Sequence, residues 1–175
     1  MIAMDCRKNE GGVNAVLTFY RDVLVYDIRN YAYIEGSLLP PDDYHSCHSV
    51  QDIAEKGNID RLSNVMSLCF AKVRELLYPY SKSQISNPFI DNEIHIPEIY
   101  RIDLSLPPSF SQSSLDLLRN LIHEYVVSTV VADWISITLP GKTDVWAAKA
   151  RELENEIISS KQMRRGGLSR PVSPF

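Results

Sequence analysis

From Leu115 to Ile137 the chain sets apolar residues at spacings of three and four: Leu118, Leu121, Ile122, Tyr125, Val126, Thr129, Val130 and Trp134 follow Leu115 and precede Ile137. The apolar arc is wider than a single buried stripe requires, so this helix has to be covered from several sides. A chain with such a segment folds around it. Phe110 and Leu115 flank Ser111 in the arrangement of a hydrophobic staple around an N-cap, and Pro140-Gly141 ends the segment.

Three further helices are predicted to pack against this one. In the first, Val13 to Ile34, the residues Val13, Val16, Leu17, Tyr20, Val23, Leu24, Ile28 and Tyr31 share one face, and Gly36 with Pro40-Pro41 closes the segment. A polar loop is expected through His48, then a short helix over residues 50–56 capped by Ser49. The second long helix, Ile59 to Tyr78, carries Leu62, Val65, Met66, Cys69, Val73, Leu76 and Leu77 and stops before Pro79. The fourth starts near Thr143-Asp144 and has a narrow stripe of Val145, Trp146, Ala150, Leu153 and Ile157, which places it at the periphery.

Residues 81–108 break the helical pattern, because Pro88, Pro97, Pro107 and Pro108 forbid a long helix. Tyr100 to Leu106 alternates apolar and polar residues, the signature of a half-buried strand, with Ile94 to Ile96 as the expected local partner. The predicted fold class is therefore mainly α: a four-helix bundle with a short extra helix and a small β-hairpin or extended excursion between helices two and three. Its expected core joins Leu17, Tyr20, Leu24, Leu62, Met66, Cys69, Val73, Leu118, Ile122, Val126 and Val130. Residues 1–160 read as one helical domain, in keeping with a chain of 175 residues, and no internal repeat is present.

Composition narrows the function classes. Apolar residues at 45% and charged residues at 23% fit a globular protein that forms its own core. Only 7 glycines are present, with no glycine-rich phosphate cradle and no GxSxG elbow. Cys6, Cys47 and Cys69 do not form a disulfide framework, Met1–Glu10 lacks the apolar run of a signal peptide, and no stretch has the length of a membrane span. The expected location is the cytosol, with no membrane partner.

Candidate chemistry is sparse. His45, Cys47 and His48 could ligate a metal, but near-adjacent ligands rarely close on one ion, so they read as an incidental surface cluster. His123-Glu124 begins like a zinc-binding helix, yet Val127 stands where the second histidine belongs; a surface or hydrogen-bonded core histidine is expected. Asp133 interrupts the apolar arc and reads as an ion-pair or helix–helix partner. The expectation is a protein that is not an enzyme and takes no cofactor or metal.

The last fifteen residues hold Lys161, Arg164, Arg165 and Arg170 and no acid, so the net charge of −4 splits into +4 on an arm of residues 161–175 and −8 on the body. Such an arm suits an acidic neighbour, or nucleic acid in the alternative reading of a nucleic-acid-associated regulator. The closing Val172-Ser173-Pro174-Phe175 favours a protein pocket.

From Ile59 to the end the chain resembles small helical virion proteins of prophage-like regions in gut Bacteroidetes, similar to tailed-phage head–tail connector (adaptor or neck) subunits. The resemblance lies in Leu76-Leu77-Tyr78-Pro79-Tyr80, Pro97-Glu98-Ile99-Tyr100-Arg101-Ile102-Asp103-Leu104, Pro107-Pro108-Ser109-Phe110, Leu121 to Tyr125, Ala132-Asp133-Trp134, Trp146 to Lys149 and the basic tail. It implies rings beneath a portal, with loops or terminal arms reaching neighbours. The expected partners are other copies of the chain and phage portal or tail proteins, with weak DNA contact through the tail. The candidate contact residues are Lys161, Arg164, Arg165, Arg170, Phe175, Tyr100 and Ile102.

Overall fold

The computed structural model describes residues 12–40, 43–82, 96–107 and 110–161. Its elements run β1 (Val13–Tyr20), α1 (Arg21–Ser37), α2 (Tyr44–Gln51), α3 (Ile59–Leu76), β2 (Ile99–Leu106), α4 (Gln112–Thr138) and α5 (Thr143–Ser160), with single 3-10 turns at Asp52–Ala54 and Pro140–Lys142. The protein is mainly helical, with five helices and one two-stranded antiparallel sheet. As the width of its apolar arc predicts, α4 is central: it touches α1, α2, α3 and α5 and buries residues on every side, from Leu118 and Ile122 to Val127 and Val131.

The largest departure from the expected fold is at the start. Val13–Tyr20 is a strand, not the opening of a helix, and it pairs with Ile99–Leu106 across the whole of α1 to α3. The ladder runs from Val13 opposite Leu106 to Tyr20 opposite Ile99. Ala15, Leu17 and Phe19 face inward with Tyr100, Ile102 and Leu104, which makes the strands one wall of the core. The alternation read at Tyr100–Leu106 is thus correct, but its partner is a distant segment. Ile96 lies before the strand, and Ile94 falls outside the described residues. The helical body thus carries a two-stranded sheet in place of the local hairpin expected between the second and third long helices.

Phe70 of α3 links the sheet to the helices. Its ring stacks on Tyr100 at 4.2 Å between centroids and meets Phe19 at 5.2 Å in a tilted contact. Of the expected core, Tyr20 alone is exposed, because it is the last residue of β1 and faces away from the helices.

Two smaller corrections concern residues 36–51. Gly36 lies inside α1, not beyond its end; a Cβ there would meet Gln51 Cγ at 2.8 Å and the Cys47 carbonyl at 3.0 Å, so glycine lets α1 and α2 approach. The helix expected over 50–56 begins earlier, at Tyr44, because the Asp43 carboxylate accepts from the Ser46 amide at 3.3 Å and caps it. Ser49, the expected cap, instead donates to the His45 carbonyl at 2.8 Å inside the helix.

Replacing Phe70 with alanine removes both aromatic contacts and leaves a cavity where sheet meets helix. Urea titration of Phe70→Ala is expected to show a loss of about 3–5 kcal/mol; a loss below about 1 kcal/mol contradicts the role given to this ring.

Candidate interaction surface

Three groups of polar side chains among the described residues lie at helix contacts or pockets. The first lies in the seam between α1, α4 and α5. Glu35 accepts from Lys142 Nζ at 2.9 Å and from the Trp146 indole Nε1 at 3.2 Å. Lys149 reaches Glu124 at 3.3 Å and lies over the Tyr31 and Trp146 rings, 4.8 and 5.2 Å from their centroids. His123 Nε2 meets Asp27 at 2.7 Å, so this histidine is a hydrogen-bonded partner of α1. Each ionisable group of the seam is engaged by another, and the arrangement holds three helices in register.

The second group lines an open groove of about 330 Å³ between α3 and α5, floored by Tyr125, Thr129, Ala132 and Asp133 of α4. Lys72 bridges it to Glu154 at 2.8 Å, and that hydrogen bond raises the Lys72 pKa above its ordinary value. Arg61 grips Asp133 with two bonds of 3.1 Å, which makes Asp133 a helix–helix partner. On α3, burial pushes the Cys69 thiol up to about 12, against the opposing hydrogen bond from Thr129.

The third group surrounds Arg21, at a pocket of about 470 Å³ with Asp22, Val25, Ile59 and Glu98. Arg21 donates to Ser63 Oγ at 3.0 Å, while its buried Nε has no partner among the described residues.

The residues singled out in the sequence do not converge. Tyr100 and Ile102, expected to contact neighbours, are 3% and 1% exposed and belong to the core, because their strand is covered by α3. Lys161 is no free arm residue: its Nζ donates to the carbonyls of Leu76 at 2.6 Å and Tyr78 at 3.3 Å, closing the end of α3. Arg164, Arg165, Arg170 and Phe175 lie outside the described residues. His45, Cys47 and His48 sit on α2, not on a loop, with His48 packed edge-on to Tyr44 at 4.2 Å. Among the described residues no group of three or more His, Cys, Asp or Glu side chains is placed to hold a metal.

The feature that sequence reading missed is apolar and exposed. On α1, Val23, Tyr26, Tyr33 and Ile34 are 48%, 65%, 63% and 53% exposed and lie on the side opposite the buried Leu24, Ile28 and Ala32. Their signal was present, since α1 has apolar residues on more than one face, but in a sequence a second apolar face looks like a wider core face. Among the described residues, no helix is long and apolar enough to cross a membrane. Comparison of the chain with protein-family models, curated proteins and solved structures finds no match.

Two measurements test these placements. At pH 8 the Cys69 thiolate is roughly one part in ten thousand of its thiol, so Cys69 should resist an aromatic disulfide reagent until the chain unfolds; rapid labelling of Cys69 in the folded protein contradicts its burial. Lys161→Met strips the end of α3 of its cation and is expected to cost about 1–2 kcal/mol in urea titration, whereas an unchanged midpoint contradicts the cap.

Proposed function

We propose that the chain is a non-enzymatic, self-assembling structural protein, a subunit of a phage or prophage head–tail connector or neck. One observation carries the reading: α1 turns Val23, Tyr26, Tyr33 and Ile34 to solvent while the same helix buries a complete second face. Tyrosine supplies a large rigid contact with a polar tip, and apolar side chains exposed together with polar ones such as Asn30 on one helix face suit a protein–protein interface. The seam behind it supports the same reading, because its carboxylates and cations are spent on each other.

Charge supports contact between copies in particular. With Lys161 held at the end of α3, residues 162–175 carry +3 from Arg164, Arg165 and Arg170 and residues 1–161 carry −7, so the tail of one copy and the body of the next attract each other. Contacts between unlike patches generate rings when the rotation closes, which is the architecture implied by the resemblance to connector subunits. The DNA-binding alternative rests on the arm alone.

Light scattering of the full chain over a range of concentrations, followed by negative-stain electron microscopy, tests the proposal. Oligomers or rings are expected, and Tyr26→Ser with Tyr33→Ser is expected to reduce them without loss of helical circular dichroism. A chain that stays monomeric at high concentration, alone and with a portal-type ring, overturns the reading.

A further inference from the structure

The register of the sheet determines which backbone groups each strand offers to its outside. The Arg21 amide donates to the Glu98 carbonyl at 2.9 Å, just beyond the Tyr20–Ile99 pair. In an antiparallel ladder hydrogen-bonded and non-bonded pairs alternate, so Phe19–Tyr100, Leu17–Ile102 and Ala15–Leu104 exchange the bonds within the sheet. Asn14, Val16 and Thr18 therefore aim their N–H and C=O groups away from β2, and on β2 the residues Arg101, Asp103 and Ser105 aim theirs away from β1.

The two outer edges are treated differently. On β2, the Ser105 amide donates to the Tyr80 carbonyl at 2.8 Å and the Arg101 carbonyl accepts from the Arg74 guanidinium at 3.0 Å. These two contacts cover both ends of the edge, and its outer face carries the charges of Arg101 and Asp103. On β1, the main-chain groups of Asn14, Val16 and Thr18 have no partner among the described residues. The eight residues Val-Asn-Ala-Val-Leu-Thr-Phe-Tyr contain no charge, no proline and no glycine. Soluble proteins defend an open strand with such residues, with a bulge or with a covering element. Among the described residues β1 shows none of these defences, which leaves its edge fit to pair.

We propose that the outer edge of β1 pairs antiparallel with the same edge of a second copy, joining two sheets into one of four strands, β2–β1–β1–β2, across a two-fold axis. This inference rests on the assembly reading and names one of its interfaces. The occupant follows from the strand itself. Because the outward-aimed groups lie on even-numbered residues, an isologous pair has to set even against even. Centring the axis on Leu17 places Val16 opposite Thr18 of the second copy, which pairs all four of their outward groups, and Asn14 opposite its Tyr20, whose amide can donate to the Asn14 carbonyl while its own carbonyl already caps α1. The side chains that meet are uncharged and include a Val–Thr β-branched pair, so self-pairing brings no like charges together. The apolar Val16 and Tyr20, both more than half exposed, then lie at the middle of a continuous outer face with Ile99.

Two variants of the full chain test the proposal. Thr18→Pro removes an N–H that points outward and leaves the β1–β2 bonds in place; Val16→Lys puts a charge on each side of the axis. Sedimentation equilibrium should find a dimer or a multiple of it in the wild-type chain, with the two-fold step weakened by a factor of about ten or more in either variant. Amide exchange gives a second readout: Val16 and Thr18 should be protected at high concentration and lose that protection on dilution, while Leu17 and Phe19 stay protected throughout. If wild type and both variants assemble alike, or if Val16 and Thr18 are protected equally at every concentration, the edge proposal is overturned and the assembly reading stands. A wild-type chain monomeric at every concentration overturns both.

Discussion

The antiparallel pairing of Val13–Tyr20 with Ile99–Leu106 is the constraint on which the rest of the fold depends. It draws together two segments that lie on either side of α1, α2 and α3, and so fixes where those helices begin and return. It also sets the inner face of the sheet, where Phe19 and Tyr100 take Phe70 between them. Without the ladder, Leu17 and Ile102 would have no surface to share, and α3 would present Phe70 to water. Local helix propensity cannot supply this contact, because the pairing joins residues far apart in the chain.

The helical body solves a different problem. α4 is apolar nearly all round and has to be enclosed, which α1, α3 and α5 accomplish with α2 at one end. Charged residues at these contacts are placed in complementary pairs, as in Glu35 with Lys142, Glu124 with Lys149, Asp133 with Arg61 and Glu154 with Lys72. Exposed pairs of this sort add little stability; they fix which helix faces meet. Among the described residues, the far face of α1 and the outer edge of β1 make no such contacts.

Helix positions were legible where one face is apolar and the other is wet. The spans of α3 and α4 follow from spacing and from Pro79 and Pro140 beyond their ends, α5 from its spacing after Pro140-Gly141, and the central place of α4 from its wide apolar arc. β2 was legible because Arg101, Asp103 and Ser105 alternate cleanly with buried neighbours. β1 was not, and the reason is specific. Its inward residues Ala15, Leu17 and Phe19 alternate with Val16 and Tyr20, which are apolar as well, so Val13, Val16, Leu17 and Tyr20 also satisfy a helical spacing that α1 then continues. No capping side chain marks the junction at Tyr20. The apolar outer face of β1 is what disguised it as the opening of α1. Of the candidate contact residues, Tyr100 and Ile102 were misplaced because a strand alternation says that one face is buried without saying which residues neighbours reach.

The account stands on β1 being a strand in the stated register. Proton–proton nuclear Overhauser effects in the folded chain test this directly. Non-hydrogen-bonded antiparallel pairs bring their α-carbons to about 4.5 Å, closer than the bonded pairs. Strong α-proton contacts are predicted between Asn14 and Ser105, Val16 and Asp103, and Thr18 and Arg101. Sequential amide–amide contacts running through residues 13–20, with no cross-strand signal, would instead make this segment a helix and remove both the wall of the core and the edge offered to a second copy.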